Sequence, residues 1–425
     1  MTTSTQPAAP ASPPRVLLVI SAQPPAHLDA TVAAGREPRR DYQALQAALH
    51  ADLLTPADAR RTRLGRLIAR AAGIRPALAW TAFRRRRAYD VLYTDGENVG
   101  LPLALLLTLR RAHPGQPRHV MLTHYLSTRP KRILFRLGAG AHIDTLIVHS
   151  SAQRQLAITT LRMPPARVAL LPYFADATFW HPLTSSSSML NPPSSPLPLP
   201  SDPSISVVLN YTPPIVCAVG LEFRDYDTLA QAARGLHAYV RIAAASTWSH
   251  HSAFTGTPNL PRNVTVQSYT YLPLRDLYAA ARVVAVPLHE VDNQAGITVI
   301  LEAMAMGKPV VVTATRGQTD VVRDRRNGGR GRVTREEWPA FAEASELSGS
   351  LAHLPTGFYV APADPDELRR AIQYLLDHPD LAETLGRNGR RHVEALYTLD
   401  AFAARFAAAI RGEIHPLLPF SAPDY

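Results

Sequence analysis

The sequence predicts an α/β protein of two domains, each with a mostly parallel sheet covered by helices on both faces. Three observations predict it. Short apolar runs alternate with helix-length stretches, as in parallel sheets with helical crossovers. The alternation stops at residues 183–205, which are rich in Ser and Pro and favour a flexible linker, and then restarts. A length of 425 residues fits two or three domains of roughly 100–200 residues each.

The N-terminal domain is predicted over residues 15–182, after a disordered tail over 1–14. Its strands are short runs rich in Val, Ile and Leu, and its helices are the longer stretches between them. The predicted strands are 15–21, 90–94, 119–123, 145–149 and 168–172, and the predicted helices are 41–49, 60–72, 100–111, 127–138 and 151–161.

The C-terminal domain is predicted over residues 206–395, with an irregular surface insertion at 325–355. Residues 396–425 are expected to form a helix and a tail that pack back on the N-terminal domain. The predicted strands are 215–219, 238–245, 264–267, 283–287 and 309–313, and the predicted helices begin near 225 and 295 and then cover 365–376, 379–397 and 399–410.

Composition excludes several classes of protein. Hydrophobic residues make up 46 % of the chain and charged residues 19 %, which excludes wholesale disorder. The single cysteine, Cys217, excludes a disulfide scaffold and a cysteine-rich zinc site, and fits a reducing cytoplasm. The longest apolar run, 99–109, is about half the roughly 20 residues that cross a bilayer. The N-terminus lacks the apolar core of a signal peptide, so we expect a cytoplasmic protein.

Charge is concentrated in the first half of the chain. The net charge is +11 overall, and residues 1–182 hold 24 basic and 10 acidic side chains. This asymmetry predicts an acidic partner. The arginines of Arg60–Arg70, with Leu64, Leu67 and Ile68 on the other side of a helix, and the run Arg84–Arg87 predict peripheral contact with the anionic inner membrane face. The alternative is a solvated basic face. No nucleic-acid-binding motif accompanies the charge, so no nucleic-acid partner is expected.

Residues 286–313 hold the most informative motif. A buried strand, a loop and a helix that opens near Ala295 and Gly296 follow one another, and the helix is apolar almost all round except for Glu302. A buried carboxylate needs hydrogen-bond donors, which the hydroxyls of a ribose would supply. The alternatives are a neighbouring arginine or contact with water. The N–H groups at the helix start, after Gln294, predict an anion site.

A second motif covers residues 215–236. A strand leads to Gly220, a short loop and a helix that opens near Asp225. Arg224 precedes this helix, where a guanidinium could bind a diphosphate through two hydrogen bonds. The alternative is a surface arginine paired with Asp225 or Glu222. Asp225 and Asp227 are expected to cap the helix rather than to bind a metal.

Together these segments resemble the family 4 retaining nucleotide-sugar glycosyltransferases, which have the GT-B fold of two Rossmann-like domains facing each other across a cleft. The resemblance rests on Gln294, seven residues, Glu302 and the following AMAMGKPVV, and on VGLEFRDYDTLAQA, LLPYFADATFWHP and TGFYVAPADPDELRRAI, so it covers most of the chain. It implies transfer of a hexosyl group from a nucleotide-diphosphate sugar to an unknown carbohydrate or lipid-linked acceptor, without a metal or other cofactor.

The resemblance also implies roles for matching residues. Arg224 would bind the diphosphate and Glu302 the ribose, and His124 matches the active-site histidine of the N-terminal domain. The other donor contacts would come from Gly220, Gln294, Ala295, Gly296, Ile297 and Thr298. Asp95, Glu97 and Asn98 follow a strand, where open α/β sheets place ligands, and are candidates for acceptor or sugar contacts. The alternatives are a structural His124 and an Asn98 that caps a helix. Lys308 is expected to be exposed beyond the helix end, and the alternative is that it helps to stabilise the negative charge of the diphosphate.

One departure from the family pattern leaves a second function open. Gln294 stands where the family usually has a glutamate, so its contact with sugar hydroxyls becomes neutral. The alternative to an active transferase is a catalytically degenerate GT-B protein that binds a nucleotide sugar or an anionic surface. A Rossmann oxidoreductase is disfavoured, because no G-x-G-x-x-G follows the first strand of either domain.

Overall fold

The chain folds into two compact units. The computed structural model describes residues 13–108, 116–182, 213–244, 260–318, 320–323 and 354–411. Unit 1 comprises residues 1–26, 40–172 and 400–420, and unit 2 comprises 27–39, 173–399 and 421–425. The predicted linker 183–205 lies outside the described residues, as do the tail 1–14 and the insertion 325–355 apart from two residues of each.

Unit 1 contains a six-stranded sheet in which every neighbouring pair is parallel, in the order β2-β1-β3-β4-β5-β6. Four of its strands are largely buried because helices cover the sheet. The strands are β1 Val16–Val19, β2 Asp52–Leu54, β3 Val91–Asp95, β4 Arg118–Thr123, β5 Thr145–Val148 and β6 Val168–Leu170.

The helices of unit 1 lie mostly between its strands. They are α2 Asp41–Leu49, α3 Pro56–Arg61, α4 Arg63–Ala71, α5 Ile74–Arg85, α6 Glu97–Thr108, α7 Arg129–Arg136 and α8 Ser151–Thr159, and the chain returns at its end as α14 Leu399–Arg411. The predicted helix 60–72 is divided at Thr62, whose side chain accepts a hydrogen bond from the Gly65 N–H and so starts α4.

The helix α14 contributes aromatic side chains to the core of unit 1. The ring of Phe406 lies 4.9 Å from that of Tyr93 in an edge-to-face contact, and the ring of Phe402 lies 6.2 Å from that of His149. Phe406 is fully buried. Aromatic pairs of this geometry add about 0.5–1.5 kcal/mol to the burial of their area, so α14 is an integral layer of unit 1.

Unit 2 repeats the architecture with a parallel sheet in the order β12-β11-β10-β7-β8-β9. Its strands are β7 Ile215–Val219, β8 Tyr239–Ala243, β9 Val264–Gln267, β10 Ala281–Val286, β11 Val310–Thr313 and β12 Gly357–Val360. Its helices are α1 Leu28–Ala33, α9 Tyr226–Ala233, α10 Tyr271–Ala280, α11 Ile297–Ala305, α12 Pro365–Asp377 and α13 Pro379–Leu396.

The central strands of unit 2 are almost free of polar side chains. Cys217 in β7 is fully buried, and burial raises the pKa of its thiol to about 12. Nearly continuous apolar strands of this kind are typical of parallel sheets covered on both faces. The predicted α/β class is therefore confirmed in both halves of the chain. No helix in the described residues has the length and apolar character needed to cross a membrane.

Candidate active site

The loop after β7 folds the side chain of Arg224 back over the end of the strand. Its Nε donates to the Val219 carbonyl at 2.9 Å and its Nη1 to the Glu222 carbonyl at 2.8 Å. Gly220 has φ +100°, which favours glycine, and a Cβ there would lie 2.6 Å from Nη2 of Arg224 and would displace the guanidinium. The guanidinium thus contacts backbone carbonyls, and the alternative ion pair with Asp225 or Glu222 is not formed.

The start of α11 lies beside this guanidinium. Gly296 precedes the helix with φ +81°, and a Cβ on it would lie 2.8 Å from Val286 and 3.6 Å from Nη1 of Arg224. The first N–H groups of a helix lack partners within the helix and carry partial positive charge. Arg224 and the N-terminus of α11 therefore form one electropositive corner at the carboxyl ends of β7 and β10. Thr298 is exposed in the first turn.

The loop before α11 is held by residues that follow β11. Nε2 of Gln318, which is fully buried, donates to the Ala295 carbonyl at 2.9 Å. The Gly317 N–H donates to the Val291 carbonyl at 3.0 Å. Oε1 of Gln294 is buried and accepts no hydrogen bond from the described residues. The predicted sugar-side residues are thus placed on a loop with a fixed backbone.

Glu302 lies on α11 with its carboxylate in a buried setting. Its Oε2 accepts a hydrogen bond from the hydroxyl of Tyr278 at 3.0 Å, and Tyr278 is fully buried on α10. Burial, and then the charge of Glu302, raise the pKa of Tyr278 well above its usual value, so the hydroxyl stays protonated. The edge of the Tyr278 ring also packs against Trp180, at 5.5 Å between centroids. These contacts fix the direction of the carboxylate.

Arg224 interacts electrostatically with the carboxylate of Glu302. Burial lowers the pKa of Arg224, whereas Tyr226, Tyr278, Glu222 and Glu302 act in the opposite direction. An arginine stays protonated under these conditions. The donor-side candidates Arg224, Gly296 and Glu302 are therefore gathered at one end of the unit 2 sheet.

Two further residues of unit 2 have structural roles. Asp225 caps α9, since its Oδ1 accepts from the Thr228 N–H at 3.0 Å. The expectation that Lys308 is exposed is wrong: it is half-buried, and its Nζ donates to the Ala279 carbonyl at 2.6 Å. Because Lys308 precedes β11, it lies at the amino end of the sheet, opposite the end that carries Arg224.

In unit 1, His124 and Asp95 meet at the carboxyl ends of β3 and β4. Nε2 of His124 lies 3.6 Å from Oδ1 of Asp95, and 49 % of the His124 side chain is exposed. Partial burial opposes protonation, but the nearby carboxylate of Asp95, together with those of Glu97 and Asp41, raises the pKa of His124 to about 8. Burial and the charge of Asp95 raise the pKa of Asp41, at the start of α2, to about 7. These three groups form a titratable cluster.

Glu97 and Asn98 differ in their surroundings although they are adjacent. Glu97 is buried, and its carboxylate accepts from the Lys131 Nζ at 2.7 Å and from the His124 N–H at 3.0 Å. It therefore positions the His124 backbone. Asn98 is exposed within the first turn of α6, which begins at Glu97, so it does not precede the helix as a cap would.

The basic segments of unit 1 differ from the sequence prediction in two ways. Arg86 is buried: its Nη1 donates to the Phe83 carbonyl at 2.6 Å, and its guanidinium lies 4.0 Å from the centroid of the Phe83 ring. The run Arg84–Arg87 is therefore not a continuous surface. On α4, Leu64 and Leu67 are exposed, because only Ile68 and Ala69 pack against the core.

Sequence patterns did not single out Asp41, Lys131, Tyr278 or Gln318. Each of these residues contacts a site residue that is distant in sequence, and no short sequence motif links the two positions. Lys131 alone carried a signal, as one of two lysines in an arginine-rich chain. Tyr278 and Gln318 resemble ordinary core and loop residues until the fold brings them to Glu302 and Ala295.

A family comparison agrees with this geometry. Residues 214–348 match the family described as Glycosyl transferases group 1. This segment includes both motifs that carry Arg224 and Glu302. The resemblance to glycosyltransferases is therefore confirmed over this segment; membership of family 4 stays a prediction. No curated protein sequence matches the chain significantly.

Solved structures share the fold along nearly the whole chain. Sucrose-phosphate synthase from Thermosynechococcus elongatus is 19 % identical with a TM-score of 0.61, over 94 % of this chain and 99 % of the other. The Anabaena protein HepE, in complex with UDP-glucose, is 15 % identical with a TM-score of 0.58, over 94 % and 100 %. The trehalose 6-phosphate synthase of Burkholderia multivorans is 13 % identical with a TM-score of 0.55, over 94 % and 96 %. The GT-B fold is thereby confirmed.

Proposed function

We propose that the protein transfers a hexosyl group from a nucleotide-diphosphate sugar to a carbohydrate or lipid-linked acceptor, with retention of configuration. The observation that carries the proposal is the electropositive corner of Arg224 and the α11 N-terminus, with Glu302 nearby on the same helix. A diphosphate needs such a cation and helix terminus, and a ribose needs an acceptor such as a carboxylate. A structural neighbour, HepE, has a complex with UDP-glucose.

Each of the donor-side residues binds a different part of the nucleotide sugar. Arg224 binds the diphosphate, for which its guanidinium turns from the carbonyls of Val219 and Glu222 toward phosphate oxygens. Glu302 binds the ribose. The backbone of Ala295, Gly296 and Ile297 faces the sugar and its phosphate, and the unpartnered Oε1 of Gln294 accepts a hydrogen bond from a sugar hydroxyl.

Catalysis in this proposal is electrostatic. As the bond to the sugar breaks, negative charge grows on the diphosphate, and Arg224 and the α11 N-terminus stabilise it without a metal ion. Backbone contacts fix the α11 N-terminus before the donor binds, and Arg224 has already turned to the phosphates once the donor is bound, so little reorganisation accompanies bond breaking. In unit 1, His124 and Asp95 contact the sugar or the acceptor.

The test is donor binding and turnover in Arg224→Ala and Glu302→Ala. Loss of a charge-assisted hydrogen bond costs about 1.5–3 kcal/mol, so nucleoside diphosphate affinity, measured by calorimetry, should fall roughly ten- to hundredfold in each. Arg234→Ala, which removes an exposed arginine after α9, is the matched control and should bind normally. Wild-type affinity and turnover in both site variants would contradict the proposal.

A donor screen separates the active transferase from the degenerate alternative. Nucleotide sugars that differ in base and sugar would be scored by thermal shift and by hydrolysis of the donor. We expect one donor both to stabilise the protein and to be hydrolysed or transferred slowly. Stabilisation by a nucleotide sugar with no turnover of any donor would favour a binding module instead.

A further inference from the structure

We propose that unit 1 docks on an anionic lipid bilayer through two short basic helices, α4 and α7. Their exposed apolar side chains are Leu64 and Leu67 on α4, and Ile133 on α7 with Leu137 just after it. The arginines beside them are Arg63, Arg66, Arg70, Arg129 and Arg136. These nine residues are called the basic apolar surface below.

The apolar half of this surface is the largest group of exposed hydrophobic side chains in the described residues. Leu64 is 46 % exposed, Leu67 61 %, Ile133 52 % and Leu137 66 %. Only one other large hydrophobic side chain in the described residues is exposed, that of Phe223. Single exposed leucines are ordinary, but four on two basic helices are a pattern of interfacial helices.

Most of the arginines of the basic apolar surface form no ion pair with a carboxylate of the described residues. No carboxylate of the described residues lies within ion-pair distance of Arg63, Arg70, Arg129 or Arg136. By contrast, Arg61 pairs with Asp58 at 3.1 Å, and Arg66 donates to the carbonyls of Arg60 and Arg61. Each free cation near a negative lipid surface adds about 1 kcal/mol, or roughly fivefold in partitioning.

The two helices are placed on the same side of the sheet. The strand order advances in one direction from β2 through β3 and β4 to β5. Right-handed crossovers therefore put α5, α6 and α7 on one face. The helix α4 packs against α5. Both α4 and α7 therefore belong to the helical layer on that side of the sheet.

The start of α7 also connects this surface with the His124 cluster. Lys131 of α7 holds Glu97, which in turn binds the His124 backbone. A bilayer at α7 would bring lipid-borne groups close to that cluster. Exposed leucines indicate a bilayer rather than a nucleic acid, because leucines enter the acyl boundary but gain nothing from a phosphate backbone.

Vesicle co-sedimentation of the full chain tests the surface. Phosphatidylcholine vesicles are compared with vesicles that also contain phosphatidylglycerol. We expect binding only to the anionic vesicles, weakened by salt. Because no donor or acceptor is needed, the result is independent of the proposed transfer, and a transferase that does not bind vesicles would remain a transferase.

Paired variants locate the contact. Leu64→Ser with Leu67→Ser, and Ile133→Ser with Leu137→Ser, should each weaken binding by at least about tenfold, and Arg63→Gln with Arg70→Gln by roughly twenty-fivefold. The matched control, Arg234→Gln with Arg370→Gln, removes two exposed unit 2 arginines and should bind as the wild type does. Thermal unfolding confirms that each variant is folded.

Four outcomes would overturn the proposal. These are equal binding to neutral and anionic vesicles or none to either, an equal loss in the control pair, and leucine or isoleucine variants of either helix that bind normally. The fourth is duplex DNA binding of the same affinity and the same dependence on these variants, which would assign the surface to nucleic acid.

Discussion

At the scale of single residues, the imidazole of His124 depends on carboxylates from other elements. Asp95 from β3, Asp41 from α2 and Glu97 from α6 all favour its protonated form, whereas burial opposes it. The neighbouring His149 ring lies 5.9 Å away between centroids. Burial, reinforced by the charge of His124, lowers the pKa of His149 to about 3, so His149 stays neutral while His124 is charged.

This arrangement predicts an unusual titration for His124. Its NMR midpoint should lie near pH 8 in the wild type and should fall toward or below the ordinary 6.5 in Asp95→Asn, which keeps the burial but removes the charge. Asn98→Ala, an exposed change nearby, is the control and should leave the midpoint in place. A midpoint that does not move in Asp95→Asn would contradict the assignment.

The same pKa shift links His124 to stability. Its pKa in the folded chain is higher than the 6.5 of an unfolded histidine. The protonated ring therefore stabilises the fold fully below about pH 6.5, and this contribution disappears as the pH rises through about 8.

At the scale of elements, several hydrogen bonds hold the loop of residues 288–296 before α11, and one of them comes from the buried side-chain amide of Gln318. Gln318 donates to Ala295 across the gap between two loops, and Thr313 accepts from the Leu288 N–H at 3.0 Å at the other end. Further hydrogen bonds join residues 288–296 to the rest of unit 2. They run from the His289 N–H to the Phe223 carbonyl, from the Gly317 N–H to the Val291 carbonyl, and from the backbone and side chain of Arg316 to Glu290.

Gln318→Leu should loosen this loop. The Ala295 carbonyl loses its donor, so we expect amide exchange in residues 293–298 to speed up by roughly tenfold, corresponding to about 1.4 kcal/mol for a buried hydrogen bond. Mass spectrometry of hydrogen exchange measures it. Thr315→Val is the matched control, because its buried Oγ1 makes no hydrogen bond in the described residues and can be lost without cost. Unchanged exchange in Gln318→Leu would show that the amide does not hold the loop.

Hydrophobic runs and helix stops predicted most of the elements. The strands 215–219 and 264–267 and the helix 41–49 are found with the predicted bounds. The strand β2 was missed because its three residues give too little periodicity, and β12 was missed as well. The helices α5 and α10 were also missed; α10 has Pro273 in its first turn, where a proline is tolerated.

The candidate site was predictable only where it is local in sequence. Gly220, Arg224, Gly296 and Glu302 fall within two strand-loop-helix motifs, and their types and spacing predicted an anion site. The contacts of Tyr278 with Glu302 and of Gln318 with Ala295 join residues 24 and 23 positions apart. Such pairings depend on sheet order and helix packing, which no single motif encodes.

At the scale of the whole molecule, each unit is built from separate parts of the chain. Unit 1 takes its last helix from residues 400–411, and unit 2 takes α1 from the N-terminal half. In unit 2, Arg39 donates to the buried carboxylate of Asp176 through its backbone N–H and its Nη2, both at 2.8 Å. Contacts of this kind fix a segment to a unit to which it is not adjacent in sequence.

Phe406→Ala tests how far unit 1 depends on its C-terminal helix. Removing a fully buried phenylalanine typically costs about 3–5 kcal/mol, and here it also removes the edge contact with Tyr93. Urea denaturation followed by circular dichroism measures the loss. Leu137→Ala, at a position of the same unit that is 66 % exposed, is the control and should change the free energy of unfolding by less than about 0.5 kcal/mol. A loss below about 1 kcal/mol in Phe406→Ala would mean that α14 is dispensable to the core.

The position of α14 has a consequence for biosynthesis. A ribosome releases the chain from its N-terminus, so the strands of unit 1 emerge first, whereas Phe402 and Phe406 emerge only after every strand of the unit 2 sheet. Until then Tyr93 and His149 lack the aromatic layer that covers them in the finished molecule. Unit 2 can therefore complete its sheet while unit 1 still lacks its last helix. Unit 1, whose strands are synthesised first, is the second of the two units to complete its fold.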